Sequence, residues 1–206
     1  MIAFKRLLLT PNHKDLGTAY LCFSFFMLLV SIVYALGLRV EVPTNSIFFQ
    51  AEPFSHQTLT HGLIIAFLGL AQWMVPMMLG APDMALVWMS KWSFRMLLFA
   101  SLLLLSLNPP TTPQASPALL FVMLLFSVAY IMISISLVVT IVTKRTPGMT
   151  LMKMPVFVWT WFISALLLIL TTSTLVTSVM LMLADFYLGT AFFKTMNYVF
   201  DRHPDP

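Results

Sequence analysis

Apolar positions along the chain gather into five long blocks with short polar breaks between them. The first runs from about Gly17 to Leu38 and the second from about Leu59 to Leu79. The third runs from about Trp92 to Leu107, the fourth from about Ala118 to Thr143, and the fifth from about Pro155 to Ala184. A helix needs about 20 residues to cross the hydrocarbon core of a bilayer. The blocks therefore predict an all-α bundle of five transmembrane helices in one membrane domain. The third is short for this task, and the fifth must tilt or project. The first block is long and no small-residue cleavage site follows it, which argues against a signal peptide.

Charge gives the bundle a direction. With the N-terminus inside, Lys5, Arg6, Lys14, Lys91, Arg95, Lys144, Arg145 and Lys153 fall in the inner segments. Only Arg39, Lys194 and Arg202 fall in the outer ones. Cytoplasmic loops collect Lys and Arg, so the expected topology is N-terminus inside and C-terminus outside. The net charge of +4 then needs no nucleic-acid partner.

Polar residues inside the blocks are the candidates for chemistry, because in lipid they turn inward or pair. His61 and Gln72 are eleven residues apart, which at about 100° per residue puts them on nearly one face, with Leu68 between. Such a stripe faces protein or a cofactor. The plainer reading of His61 is an interfacial histidine hydrogen-bonded to a neighbouring loop, and the sharper one is a ligand. The fifth block carries Thr171, Thr172, Ser173, Thr174, Thr177 and Ser178, and the fourth carries Ser127, Ser134 and Ser136. Hydroxyls can relay protons, but the expectation here is bonding back to the preceding turn and close helix packing. The methionines are scattered and read as gap-fillers. Trp73, Trp88, Trp92, Trp159 and Trp161 stand near span ends, as in an aromatic belt.

Composition agrees: 60% of the residues are hydrophobic and 9% charged, against roughly 25% charged in soluble domains. Mean hydropathy is +0.94. Cys22 is the single cysteine, which excludes an internal disulfide or a cysteine-based metal site. No Gly-rich phosphate loop, HExxH or nucleophile elbow is present. Between the second and third blocks lies LGAPDMA, residues 79–85, with Asp83 in a Gly-Pro turn on the inner side. Asp83 reads as a proton carrier, a helix cap or a solvated loop residue.

Several stretches together resemble subunit I of the haem–copper oxidases, the cytochrome c oxidase core. Asn12-His13-Lys14-Asp15-Leu16-Gly17-Thr18 with Tyr20 resembles that family's opening NHKDIGTLY. Arg39-Val40-Glu41 resembles the R-x-E after its first helix, and Thr60-His61-Gly62 the start of its second. WMVPMMLGAPDMA, residues 73–85, is very close to NWxVPxxIGAPDMA. Pro155 to Trp159 resembles the PLFVW entry to the fifth helix, and Asp185 to Phe193 the DRNLNTTFF exit.

The resemblance implies a membrane bundle like the N-terminal part of that subunit, in a bacterial inner or mitochondrial inner membrane. It implies His61 as an axial ligand of a low-spin haem and Arg39 as a donor to a haem substituent. Glu41 would help hold a calcium or sodium ion, and Asp83 would mark the mouth of a proton pathway. The family's subunit has many more helices, and this chain stops after the fifth. Copper ligands, the ligand of the oxygen-reducing haem and the second low-spin haem histidine belong to the missing part, so no copper site is expected. The stretch from His61 to the GAPDM turn is shorter than in the family, which implies a shorter second helix. Ser90 and Lys91 stand where the family has asparagines, and Gln72 replaces another. Lys91, with Arg95 close by, is expected to pair with an ionised Asp83. The favoured reading is a structural or accessory membrane subunit packed against other hydrophobic subunits of an oxidase complex. The second is one piece of a split subunit I contributing His61 to a shared haem, with a partner supplying the other ligand. The third is a truncated gene product without a role.

Overall fold

A computed structural model describes residues 12–40, 48–107 and 117–193. Among these, all regular structure is helical. We number the long helices α1 (His13–Val40), α2 (Phe48–Leu79), α3 (Val87–Ser106), α4 (Pro117–Thr143) and α5 (Val156–Tyr187), with a 3-10 turn at Leu151–Lys153 before α5. All five are long and apolar enough to cross a membrane. Glu41, the connector of residues 108–116 and the C-terminal residues 194–206 lie outside the described residues.

Two lengths differ from the sequence expectation. Helix α3 begins at Val87, not Trp92, and its 20 residues reach about 30 Å. Lys91 and Arg95 lie inside its first turns, where their charges hid the helix start. Helix α2 has 32 residues, so it is not short. The membrane-length part of it is His56–Leu79, and the residues before it extend the same helix.

Helix ends explain the two most distinctive motifs. The Asn12 side chain accepts from the backbone N–H of Lys14 at 3.2 Å, which caps the start of α1. At the end of α2, Ala81 N–H donates to the Pro76 carbonyl (2.9 Å) and Gly80 N–H to Met77 (3.1 Å). This pair of bonds is the Schellman ending, which needs a left-handed residue. Gly80 supplies it with φ +68°. Pro82 then blocks any continuation of the helix.

Helix α1 lies along α2, α3 along α4, and α4 along α5, while α2 also meets α4 and α5. Glycines let α1 and α2 approach closely. A Cβ on Gly69 would stand 2.7 Å from Tyr20 Cβ, and one on Gly17 would stand 3.0 Å from Trp73 Cβ. Without a hydrophobic force between helices in lipid, such close van der Waals contact is what pairs them. The core holds Tyr20, Ile65, Leu68, Leu97, Phe126, Ile133 and Leu137, all almost fully buried.

The hydroxyls of α5 bond back to carbonyls three or four residues earlier, as expected. Close packing is a different matter. Of the six, only Thr172 is buried, and the others face outward. Met27 is fully buried whereas Met152 and Met180 are exposed, a scatter that suits gap-filling.

Replacing Gly80 with alanine is expected to destabilise the bundle by about 1–3 kcal/mol. The added Cβ meets Thr146 Cγ2 at 2.7 Å as well as straining the backbone. Thermal unfolding in detergent reads this as a lowered midpoint, and an unchanged midpoint refutes it.

Candidate functional site

The polar residues form two sets. The first is a clasp at the GAPDM turn. Asp83 Oδ1 accepts from the backbone N–H of His13 at 3.1 Å and from its Nδ1 at 3.0 Å. Seventy residues apart in sequence, the NHKD and GAPDM motifs meet in one contact. Asp83 thus acts as a helix cap supplied from another part of the chain, placing negative charge at the positive end of α1. His13 is buried, its Nε2 has no hydrogen-bond partner among the described residues, and the Asp83 side chain is 46% exposed. The partner expected from sequence was Lys91 with Arg95; the structure gives His13 instead. Arg95 lies over the Trp92 ring, 5.3 Å from its centroid. The reason is geometric: α3 starts early enough to carry both cations into its own first turns, beyond the turn that holds Asp83.

Next to the clasp, the same turn is tied to α4. Thr140 Oγ1 accepts from Ala85 N–H at 3.0 Å and donates to the Ser136 carbonyl at 2.6 Å. A chain of donors then crosses the bundle: Gln72 Nε2 to Ser90 Oγ (3.1 Å), Ser90 Oγ to Ser136 Oγ (2.8 Å), and Ser136 Oγ to the Leu86 carbonyl (3.2 Å). Beside it, the Tyr20 hydroxyl reaches Ser93 Oγ at 3.2 Å, and Ser93 donates to the Ala129 carbonyl at 2.7 Å. Gln72, expected on an inward face, is fully buried there, with its Oε1 left unpaired.

The second set surrounds His61. Its Nδ1 lies 2.9 Å from the Tyr130 hydroxyl. The ring stacks on Phe126, with centroids 3.9 Å apart and planes 6° from parallel. The partner is therefore a neighbouring helix, α4, and not a loop. Sequence reasoning missed Tyr130 and Phe126 because nothing in an apolar block marks which turn will face α2. It also missed His13, although the residue stood inside a quoted motif.

A haem is the group that the resemblance implies, and the residues fit one half of its coordination. With Nδ1 held by Tyr130, the ring is oriented and Nε2 makes no hydrogen bond among the described residues, the arrangement in which a histidine can ligate a metal. A second axial nitrogen is not at hand among the described residues. His13 belongs to the clasp, and His56 stands five residues earlier on the same helix. No group of three His, Cys, Asp or Glu among the described residues could hold a metal ion. Arg39 falls in the last turn of α1, with its side chain outside what the structure describes, as is Glu41.

The clasp carries a direct test. Asp83→Ala is expected to cost about 1–2 kcal/mol through the lost cap. Asp83→Asn, which keeps an acceptor for the His13 N–H, should lose much less. Equal midpoints for Asp83→Ala and the parent in thermal unfolding would remove the capping role.

The comparisons agree with these motifs. Residues 15–204 match the family described as Cytochrome C and Quinol oxidase polypeptide I. The chain is 28% identical to a probable cytochrome c oxidase subunit 1-alpha of Streptomyces avermitilis, over 92% of this chain and 38% of that protein. It is 30% identical to a heme-copper oxidase subunit I+III of Aeropyrum pernix, over 91% of this chain and 26% of that protein. It is 31% identical to a probable quinol oxidase subunit 1 of Staphylococcus epidermidis, over 94% of this chain and 33% of that protein. The chain therefore spans well under half of the relatives it matches, and with nearly all of its own length inside the family match it belongs to the haem–copper oxidase subunit I family.

Proposed function

We propose that this chain is a membrane subunit of a respiratory haem–copper oxidase complex, corresponding to the N-terminal part of subunit I and acting as a structural, accessory component. Membership of the family, whose subunit I binds haem and works in respiratory electron transport, supports the setting. The observation that carries the accessory role is the clasp. The motifs most specific to the family, NHKD and GAPDM, are used to cap α1 and to fasten the α2–α3 turn to α1 and α4. They account for the integrity of the bundle without any reacting group. In this reading the clasp end faces the cytoplasm or mitochondrial matrix, with the N-terminus, as the Lys and Arg distribution favours.

A second reading has its own observation. Tyr130 fixes the His61 ring, and Nε2 makes no hydrogen bond among the described residues. A helix of a partner chain bringing a second nitrogen would complete a six-coordinate low-spin haem, which supplies one-electron transfer when bound. Here Tyr130 and Phe126 orient the ligand, and Arg39 would reach the haem edge. Glu41 would help bind an outer calcium or sodium ion.

Purification of the complex with this chain tagged tests both. The accessory reading expects other oxidase subunits to co-purify and the reduced low-spin haem band to persist in His61→Ala. Loss of that band with the complex intact establishes shared ligation instead, and absence of oxidase subunits overturns both. Asp83→Asn is expected to leave proton pumping of the host complex unchanged, since its role here is structural; a clear loss of pumping in reconstituted vesicles would return Asp83 to a proton path.

A further inference from the structure

Helices α4 and α5 contain no Lys or Arg, whereas α3 carries two on one outward stripe. Trp88, Trp92, Arg95, Phe99 and Leu102 recur at steps of four and three, which places them along one face. Lys91 adjoins them, one turn before Arg95. The opposite face, with Ser90, Ser93, Phe94 and Leu97, is buried in the bundle. Trp88 is 61% exposed and Phe99 56%, so the stripe looks away from the other helices.

Depth makes this charge unusual. The span is Val87–Ser106, and Arg95 stands about 12 Å along its length of about 30 Å. A cation at that depth needs an anion or a route back to the headgroups. Asp83 is taken by His13, and neither Lys91 nor Arg95 has a carboxylate within ion-pair distance among the described residues. The Arg95 guanidinium lies over the Trp92 ring, so its side chain runs back toward the clasp end. The indoles are open too. Trp159 donates its N–H to the Leu151 carbonyl at 2.8 Å, whereas Trp88 and Trp92 make no such bond among the described residues.

We propose that this stripe binds one anionic phospholipid, with Lys91 and Arg95 on its phosphate and an acyl chain along Phe99 and Leu102. The proposal needs only that the chain spans a membrane, and not its role in an oxidase complex. The guanidinium fork fits a phosphate through two parallel hydrogen bonds. Two cations without a carboxylate complement a lipid of net negative charge, while a zwitterionic headgroup carries its own ammonium beside the phosphate. Along the stripe, charged positions give way to purely apolar ones, in the order of headgroup and acyl chain. Trp88 and Trp92 stand at that boundary and offer indole N–H groups to it. A protein helix on this face would have to bring a carboxylate into the hydrocarbon layer, which costs more than using a phosphate already at its edge.

Native mass spectrometry of the full chain in detergent tests it, with phosphatidylglycerol or phosphatidylcholine of the same acyl chains titrated in. The expected result is one phosphatidylglycerol retained at concentrations where phosphatidylcholine is lost. Lys91→Gln with Arg95→Gln should weaken that binding about tenfold. Lys144→Gln with Lys153→Gln removes the same charge from exposed positions outside the helices and should leave it unchanged. Arg95→Lys keeps a cation at the same depth, so it serves where the double change impairs folding. It should weaken binding severalfold by losing the fork. Equal retention of the two lipids overturns the proposal. So does an equal loss in both double variants, which reads general attraction of charge, or unchanged binding in Arg95→Lys. A dimer mass in place of the lipid adduct puts a second copy on this face and overturns it as well.

Discussion

Ser90 is the point on which the arrangement of the helices depends. Its hydroxyl accepts from Gln72 of α2 and donates to Ser136 of α4, and its carbonyl lies 3.4 Å from the Tyr20 hydroxyl of α1. Four helices thus meet at one residue of α3. Apolar contact alone does not fix the register of helices in hydrocarbon, because lipid tails are as apolar as leucine. Directional bonds do, and a buried donor without its acceptor costs on the order of 1–3 kcal/mol. The pairs α1–α2 and α3–α4 pack along their lengths, but polar bonds choose how one pair sits against the other.

The clasp at Asp83 extends the same logic to the end of the bundle. A Schellman ending turns the chain out of α2, proline prevents its return, and the next residue reaches the open end of α1. Two residues later, Ala85 N–H is bound by Thr140. One seven-residue turn therefore satisfies backbone groups of α1 and α2, while its own Ala85 N–H is held by the Thr140 hydroxyl of α4. Asp83 is half-exposed, so its side-chain contact with His13 Nδ1 is weakened by solvent, and the bond to the backbone N–H carries more of the contact.

Much of this was legible in the sequence. Five blocks of apolar residues fixed the number of helices, and the Gly-Pro turn predicted where α2 ends. Family resemblance drew attention to Asn12, His13, Gly80 and Asp83, the residues that cap and clasp. The partners were not legible. Lys91 looked the natural companion of Asp83 because opposite charges stood close in sequence, but the early start of α3 carried it into that helix. Tyr130 and Phe126 were hidden for a related reason: in a block apolar on every side, no periodicity says which turn faces α2. The outward hydroxyls of α5 were misjudged as packing surface, since back-bonding satisfies a hydroxyl equally well on a covered or an uncovered face.

The environment of His61 shows how one geometry serves either role. Parallel stacking on Phe126 covers one face of the imidazole, and the Tyr130 hydroxyl binds one edge. Metal coordination acts in the ring plane through the other nitrogen, so neither contact competes with it. A histidine kept only for packing needs the stacking, and a ligand needs the fixed edge. What separates the two roles is the second nitrogen that a haem requires, and among the described residues His61 has no such partner facing it. The decision between accessory packing and shared haem ligation therefore lies in whether a second nitrogen is brought to this face, and not in His61 itself.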